Sequence, residues 1–281
     1  MTEHRSLTVL VTGATDGLGR GVAIELAKRG ATVLVHGRDE QRIAATLTEI
    51  ERAAPNSRAR SYRADLSSLA QTRALAQQLL AAEPRLDVLI NNAGIGATVP
   101  GGPSRQESKD GHELRFAVNY LAPFLLTRLL LPVLRRSTPA RIVNVSSIGQ
   151  QDLDFSDVML QHDYSGSRAY RQSKLAQILD TFELAPELAG SGVTVTALHP
   201  ATFMPTKMVV AAPLSTLEQG VTATVRLAID ADVAELSGVF FDGLRQAEPL
   251  AQARDAGARR QLRALSEQLT ARYLEPLTPG A

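Results

Sequence analysis

The amino-acid sequence predicts an α/β fold: a single domain with a doubly wound parallel sheet and helices on both faces. Three observations carry that expectation. Short runs rich in Val, Ile, Leu and Thr alternate with longer helical patterns along the whole chain. The first apolar run ends directly in a glycine-rich turn, Gly13 to Gly19, which opens a helical stretch. No linker divides the chain: the segment 96–108, rich in Gly, Pro and Ser, joins a strand to a helix, where such loops shape sites.

The elements follow in order. Residues 7–12 (LTVLVT) are a continuous apolar run broken at Gly13, as expected of a strand buried on both faces. Residues 20–29 read as a helix through Val22, Ile24 and Leu26, and Gly30 suits its stop. A second strand at 32–36 is followed by a polar helix from Glu40 that ends before Pro55. Residues 60–63 are a short third strand, with a Leu- and Ala-rich helix after Ser67. Further core strands stand at 87–91 (DVLIN), 141–146 (RIVNVS) and 194–198 (TVTAL), with helices between them near 114–135 and 169–188. A last strand at 238–241 precedes a charged amphipathic helix at 256–272.

A chain of 281 residues, 44% of them hydrophobic, has the material for a large core, and its near-zero net charge argues against disorder. Lys and Arg number 30 against 29 Asp and Glu, so the basic excess of a general nucleic-acid binder is missing. No single apolar run approaches the ~18–20 residues that cross a bilayer. The six-residue run near the start is shorter than the ~7–15 residues of a signal-peptide core. A cytoplasmic protein without a transmembrane segment is therefore expected. The absence of cysteine excludes disulfides, thiolate catalysis and Cys-ligated metal, and five scattered histidines without an HxxxH pair predict no metal site.

Thr12-Gly13-Ala14-Thr15-Asp16-Gly17-Leu18-Gly19 stands between the first strand and its helix, with glycines spaced Gly-x3-Gly-x-Gly. Gly13 suits a tight turn, Gly17 a close backbone approach to a pyrophosphate, and Gly19 close packing of helix on sheet. The N–H groups opening the helix then face the anion. Three glycines alone also suit an ordinary strand-to-helix turn. Four further features accompany them: Asn91-Asn92-Ala93-Gly94 closing the DVLIN strand, Asn119 in Phe116-Ala117-Val118-Asn119, Ser146-Ser147 ending the RIVNV strand, and Tyr170-Arg171-Gln172-Ser173-Lys174, a Tyr-x-x-x-Lys. In this order and context the chain resembles the short-chain dehydrogenase/reductase family, and within it the retinol-dehydrogenase-like branch, which shares the pattern from Ala169 to Ala176. The resemblance spans residues 7–269 and implies a Rossmann-type sheet.

Tyr170 and Lys174, four apart, share one face of a helix, and Tyr170 is the only tyrosine with Lys at that spacing. A surface Tyr–Lys pair is the plain alternative. The functional reading makes Tyr170 the general acid of carbonyl reduction and the general base of alcohol oxidation. A free phenol, with a pKa of about 10, is a poor proton exchanger at neutral pH, and a nearby ammonium lowers that value. Tyr164 competes by position, but Arg168 stands four after it, and Arg is a poor replacement for Lys at a shaped site.

The resemblance implies that Lys174 hydrogen-bonds the nicotinamide ribose and that Ser147 orients the substrate oxygen, Ser146 serving the strand end. It implies that Asn119 sits in a helix irregularity that holds water and relays protons from Lys174. For the cofactor it implies Gly13, Asp16, Gly17, Leu18 and Gly19 at the turn, Asp65 and Leu66 at the adenine, and Asn92, Ala93 and Gly94 along the adenosine and nicotinamide-ribose side. Asp65 also suits a helix cap. Pro200 is expected at the nicotinamide wall, although the family's Pro-Gly reads Pro200-Ala201 here, which leaves the backbone less free. Thr206 stands about one residue further on than the family's carboxamide contact.

An NAD-specific member is expected to carry a carboxylate at the end of the second strand. The matching position is Gly37, and Arg38 follows, which predicts NADP, with NAD as the alternative, through charge-assisted bonds to a 2′-phosphate. Asp39 complicates this as a partner for Arg38 or for the ribose. The expected function is hydride transfer between NADP(H) and a carbonyl or secondary alcohol of a hydrophobic small molecule. A dinucleotide-binding sensor and a non-redox tailoring enzyme, a dehydratase or epimerase, are the alternatives. The segment 151–168, an insertion before Tyr170, is expected to wall the substrate with Phe155 and Met159, and His162 there reads as a loop residue. Val99, Pro100, Phe203, Met204, Met208 and Val209 are further lining candidates. The family's pairing of long central helices implies a homo-oligomer.

Overall fold

The computed structural model describes residues 7–98, 104–208 and 212–275. Its strands are β1 (Thr8–Val11), β2 (Thr32–Gly37), β3 (Arg58–Arg63), β4 (Val88–Asn91), β5 (Ala140–Val145), β6 (Val193–His199), β7 (Val239–Asp242) and β8 (Arg245–Ala247). They form one sheet of order β3-β2-β1-β4-β5-β6-β7-β8. The first seven run parallel, and β8 turns back antiparallel on β7. The helices are α1 (Gly17–Lys28), α2 (Glu40–Ala53), α3 (Leu69–Ala82), α4 (Leu114–Phe116), which leads through a π-helical turn (Ala117–Leu121) into α5 (Ala122–Arg136), then α6 (Gly166–Glu187), α7 (Leu217–Ile229) and α8 (Ala256–Thr270).

β1, β2 and β4 are buried along their whole length. Successive residues of a strand point to opposite faces. Leu10 therefore joins Leu34, Leu89 and the leucines of α3, α5 and α6 in one layer, while Val9, Val11, Val33 and Val35 join Val22 and Leu26 of α1 and Val225 of α7 in the other. Both faces are covered, which is why these strands read as unbroken apolar runs. Each fully buried Val or Leu side chain contributes about 1.5–3 kcal/mol. The strand order reverses at β1, where Val9 lies opposite Val33 on one side and Val88 on the other. Such a reversal opens a crevice at the carboxyl ends of the strands.

The helix expected at 114–135 carries an irregularity at Asn119, a π turn, as the resemblance implies. Three other expectations are corrected. α7 and β8 occupy stretches for which the sequence reading has no element. α7 opens on a reciprocal cap: Gln219 N donates to Thr216 Oγ1 (3.2 Å) and Thr216 N to Gln219 Oε1 (2.9 Å). Finally, Leu114–Arg136 is long and apolar enough to cross a membrane, with a mean hydropathy of 1.6 over 18 of its 23 residues, although no uninterrupted apolar run reveals it. That window is 89% buried inside the protein, as the core helix on the leucine-rich face.

α8 lies along α6. Arg259 pairs with Glu183 (3.3 Å) and Arg263 with Glu187 (2.6 Å), Leu262 is buried between the two ion pairs in sequence, and Ser266 bonds the Tyr120 hydroxyl (2.7 Å).

Candidate active site

The glycine turn is braced from both sides. Gly13 (φ +65°) and Gly17 (φ +46°) hold a left-handed backbone, and a Cβ on Gly13 would lie 2.8 Å from Ala93 Cα. A Cβ on Gly19 would collide with the Gly13 carbonyl and with Asn92 Nδ2, so α1 starts this close to β1 only because the side chain is missing. Asp16 caps α1, its Oδ1 accepting from Gly17 N (2.9 Å). Leu18 is buried in the valine-rich layer with Met204. Asn92 Nδ2 donates to the Thr12 carbonyl (2.8 Å), and the N–H groups of Asn92 and Ala93 donate to Thr12 Oγ1 (2.9 and 3.0 Å).

His36, which the sequence reading does not single out, completes the brace. Gly13 N–H donates to His36 Nδ1 (3.2 Å), which leaves Nε2–H to donate to the Ala64 carbonyl (3.2 Å). Burial pulls the imidazole down to about 4, so it is neutral, as both bonds require. The one signal in sequence is a histidine at the end of an apolar strand.

Gly94 leads to the proton-handling side chains. A Cβ there would meet Asn119 Oδ1 at 3.2 Å and Lys174 Nζ at 3.6 Å. Asn119 is wholly buried; its Oδ1 accepts from Ile95 N (2.8 Å), and its Nδ2 donates to the Ile95 carbonyl (3.1 Å) and Ser173 Oγ (2.9 Å). One amide thus ties the loop after β4 to α6. Ser146 Oγ donates to the Lys174 carbonyl (2.6 Å), pinning α6 to the end of β5. Ser147 Oγ accepts from Gly149 N (3.0 Å) and is the side chain whose influence lowers the Tyr170 phenol.

Lys174 Nζ lies over the Tyr170 ring, 5.9 Å from its centroid, and donates to the Val145 carbonyl (2.8 Å) and Gln177 Oε1 (3.0 Å). Burial pushes the Tyr170 phenol up, and the Ser147 bond is the influence that lowers it. Burial also pulls the Lys174 ammonium down to about 7. The expectation that Lys174 depresses the phenol is therefore not met. Its Nζ bonds the Val145 carbonyl and Gln177, and its charge is not among the influences on the phenol.

At the end of β2, a Cβ on Gly37 would press on Thr15 Cγ2 at 2.5 Å and on Ile43 at 3.1 Å, so a side chain there would have to displace that of Thr15. Arg38, next in the chain, is exposed. Asp39 caps α2, its Oδ1 accepting from Arg42 N (2.9 Å). Asp65 is not the cap of α3; Ser68 is, accepting from Gln71 N (3.3 Å). The Asp65 carboxyl, which burial alone would raise, is held low by Ser67 N (3.0 Å) and Lys109 (3.2 Å). The Leu66 side chain is buried in the core. Pro200 is buried just after β6. The segment beyond it folds over the glycine turn: the Thr206 methyl lies 3.1 Å from the place of a Gly17 Cβ, and Lys207 Nζ pairs with Asp16 Oδ2 (2.7 Å).

Tyr164 is occupied elsewhere. Arg115, fully buried, donates to the carbonyls of Gly96 (2.8 Å) and Ala97 (2.8 Å) and to the Tyr164 hydroxyl (2.6 Å), and it pairs with Glu113 (3.6 Å). The Tyr164 hydroxyl donates to Glu113 (3.0 Å). This network fastens the loop after β4 to the start of α6. Phe155 and Met159 pack partly buried against the core, Met204 is buried, and Phe203 is exposed with φ +47°. His162 is an exposed loop residue. Val99, Pro100 and Val209 lie outside the described residues. Among the described residues, no group of three or more His, Asp or Glu side chains is arranged to hold a metal.

The residues present suit a dinucleotide: the glycines of the turn and Gly94 carry no side chains at the carboxyl ends of β1 and β4, and Lys174 Nζ lies 3.6 Å from the place of a Gly94 Cβ. Sheet order and switch-point crevice define a Rossmann-type α/β protein. The chain belongs to the short chain dehydrogenase family, whose model matches residues 7–214. It is similar to human retinol dehydrogenase 13, with 38% identity over 285 residues, covering 93% of this chain and 84% of that protein. Among solved structures it is similar to an uncharacterized protein from Mycobacterium paratuberculosis (33% identity, TM-score 0.75, 94% of this chain and 93% of that one). It is also similar to RhlG of Pseudomonas aeruginosa in its NADP active-site complex (28% identity, TM-score 0.67, 85% and 95%).

Proposed function

We propose that this chain is an oxidoreductase that moves hydride between NADP(H) and a carbonyl or secondary alcohol of a hydrophobic small molecule. One observation carries the reading: the glycine turn and the proton-handling side chains stand next to one another. A Cβ on Gly13 would meet Ala93, one on Gly94 would meet Asn119 and Lys174, Lys174 lies over the Tyr170 ring, and Ser147 acts on the Tyr170 phenol. A dinucleotide sensor has no use for the last three.

When bound, the nicotinamide supplies or takes the hydride. Tyr170 holds the proton at its hydroxyl, giving it to the carbonyl oxygen in reduction and taking it from the alcohol in oxidation. A raised phenol stays protonated through neutral pH, which suits the acid role. Ser147 shares its hydroxyl with Tyr170 and orients the substrate oxygen. Lys174 holds the ribose and contributes charge, and Asn119, in the π turn, keeps a proton path from Lys174 to solvent. Asp65 meets the adenine and Pro200 walls the nicotinamide. Arg38 takes the 2′-phosphate, a choice supported by the crowding at Gly37, the capping of α2 by Asp39 and the NADP complex of a relative. Phe155 and Met159 support an apolar substrate wall.

The reading includes one domain acting in the cytoplasm as a homo-oligomer, which fractionation and light scattering test. For the activity, the protein is mixed with NADPH and a panel of ketones while nicotinamide absorbance is followed. The expected result is oxidation of NADPH by at least one ketone. Binding without turnover on any of them would favour the sensor.

A further inference from the structure

A recess lies between the glycine turn and the first turns of α1 and α2, lined by Thr15, Asp16, Arg20, Arg42, Thr46 and Lys207. Three cations surround one carboxylate there. Arg20 has its own partner, Glu49, at 3.3 Å. The other two converge on Asp16 Oδ2: Lys207 Nζ at 2.7 Å, from the segment after β6, and Arg42 Nη1 at 3.5 Å, from α2.

We propose that Lys207 and Arg42 are specificity-determining cations for the 2′-phosphate of the dinucleotide, and that Asp16 holds them until the phosphate takes its place. The proposal rests on the NADP reading above.

Asp16 divides its two oxygens between two tasks. Oδ1 caps α1 through Gly17 N, while Oδ2 gathers the cations. The Lys207 bond is the strongest of the influences holding this carboxyl below its ordinary range. The position matters because Thr15, the preceding residue, touches the end of β2 at Gly37, where an adenosine ribose is received in a fold of this kind. A phosphate on that ribose lands beside Asp16. Carboxylate and phosphate repel, and both cations on the carboxylate are the ligands a phosphate needs. The pairs are built to exchange. Their side chains are 73% (Lys207), 54% (Arg42) and 39% (Asp16) exposed, and exposed ion pairs hold weakly. Lys207 also follows Thr206, which lies over Gly17, so capture of Lys207 by the phosphate fixes the segment after β6 over the cofactor.

The test is a binding titration of the full chain with NADP and NAD, and with 2′,5′-ADP and 5′-AMP as fragments. Lys207→Met is expected to weaken NADP and 2′,5′-ADP about tenfold or more and to leave NAD and 5′-AMP unchanged. Asp16→Asn keeps the helix cap, since Asn caps as well as Asp, and removes the competing charge. It is expected to raise the NADP-to-NAD affinity ratio about threefold or more. An unaltered NADP-to-NAD affinity ratio in both variants would overturn the inference while leaving the dinucleotide reading intact. A wild-type chain that binds neither dinucleotide overturns both.

Discussion

Lys174 Nζ lies over the Tyr170 ring at 5.9 Å from its centroid and donates to the Val145 carbonyl, 2.8 Å away. The phenol is left with Ser147 as its polar partner in a buried setting. The chemistry assigned to the pair therefore separates into a proton carrier and a cation anchored beside it, and each part has its own signature.

Tyr170→Phe removes only the transferable proton. Turnover should fall by at least ~10²-fold while dinucleotide affinity stays nearly unchanged. Steady-state rates and a binding titration check this; a wild-type rate would assign the proton to another residue.

The raised phenol sets a pH dependence with a definite sign. Oxidation needs the phenolate, so its rate should climb through neutral and mildly alkaline pH without levelling below the ordinary phenol range. Reduction needs the phenol and should hold level across neutral pH. Ser147→Ala removes the bond that lowers the phenol, so the alkaline limb should move further up, as pH–rate profiles in both directions would show.

Lys174 makes the fold itself pH-dependent. Its folded value is about 7, against 10.5 for an unburied lysine. Between those values the unfolded chain binds more protons, so stability rises with pH across that window. Below it the buried charge is carried at full penalty. Lys174→Met should melt higher than the wild type at about pH 6, with the gap closing as pH rises towards the upper value. A gap that stays constant in thermal melts would contradict the buried charge.

Arg38→Ala should weaken NADP by about 10–150-fold, the worth of a lost charge-assisted bond network, and barely touch NAD. If the wild type already binds NAD as tightly as NADP, Arg38 does not select.

Arg115→Met removes the cation paired with the buried Glu113 carboxylate, which keeps Tyr164 and Phe116 N as donors, and releases the carbonyls of Gly96 and Ala97. Denaturant unfolding should show a loss of about 3–5 kcal/mol. Tyr164→Phe removes one hydroxyl from the same network and should cost about 1–3 kcal/mol.

The sheet is plain in the sequence because β1, β2 and β4 are covered on both faces, leaving Val, Leu and Ile in unbroken runs. β8, Arg245–Ala247, pairs only with β7 at the sheet edge and carries no apolar signal. α7 carries one, the Thr216–Gln219 cap, within a stretch crowded by Pro213 and Asp230. In the site, the motif residues stand in local patterns and are legible. The links between them are not: Lys207 reaches Asp16 across 191 positions, and His36 joins Gly13 to Ala64 from a strand that otherwise reads as pure core. Long-range contacts of this kind leave no periodicity to read.

The contact between Thr15 and the place of a Gly37 Cβ makes the two positions epistatic. A carboxylate introduced by Gly37→Asp alone would have to displace the Thr15 side chain, so the single step towards NAD disturbs the site before it retunes it. Thr15→Ala alone opens space that no side chain fills. Only the pair taken together offers a workable route to the other nicotinamide dinucleotide, and a lineage or a designer in search of that exchange has a valley of two substitutions to cross.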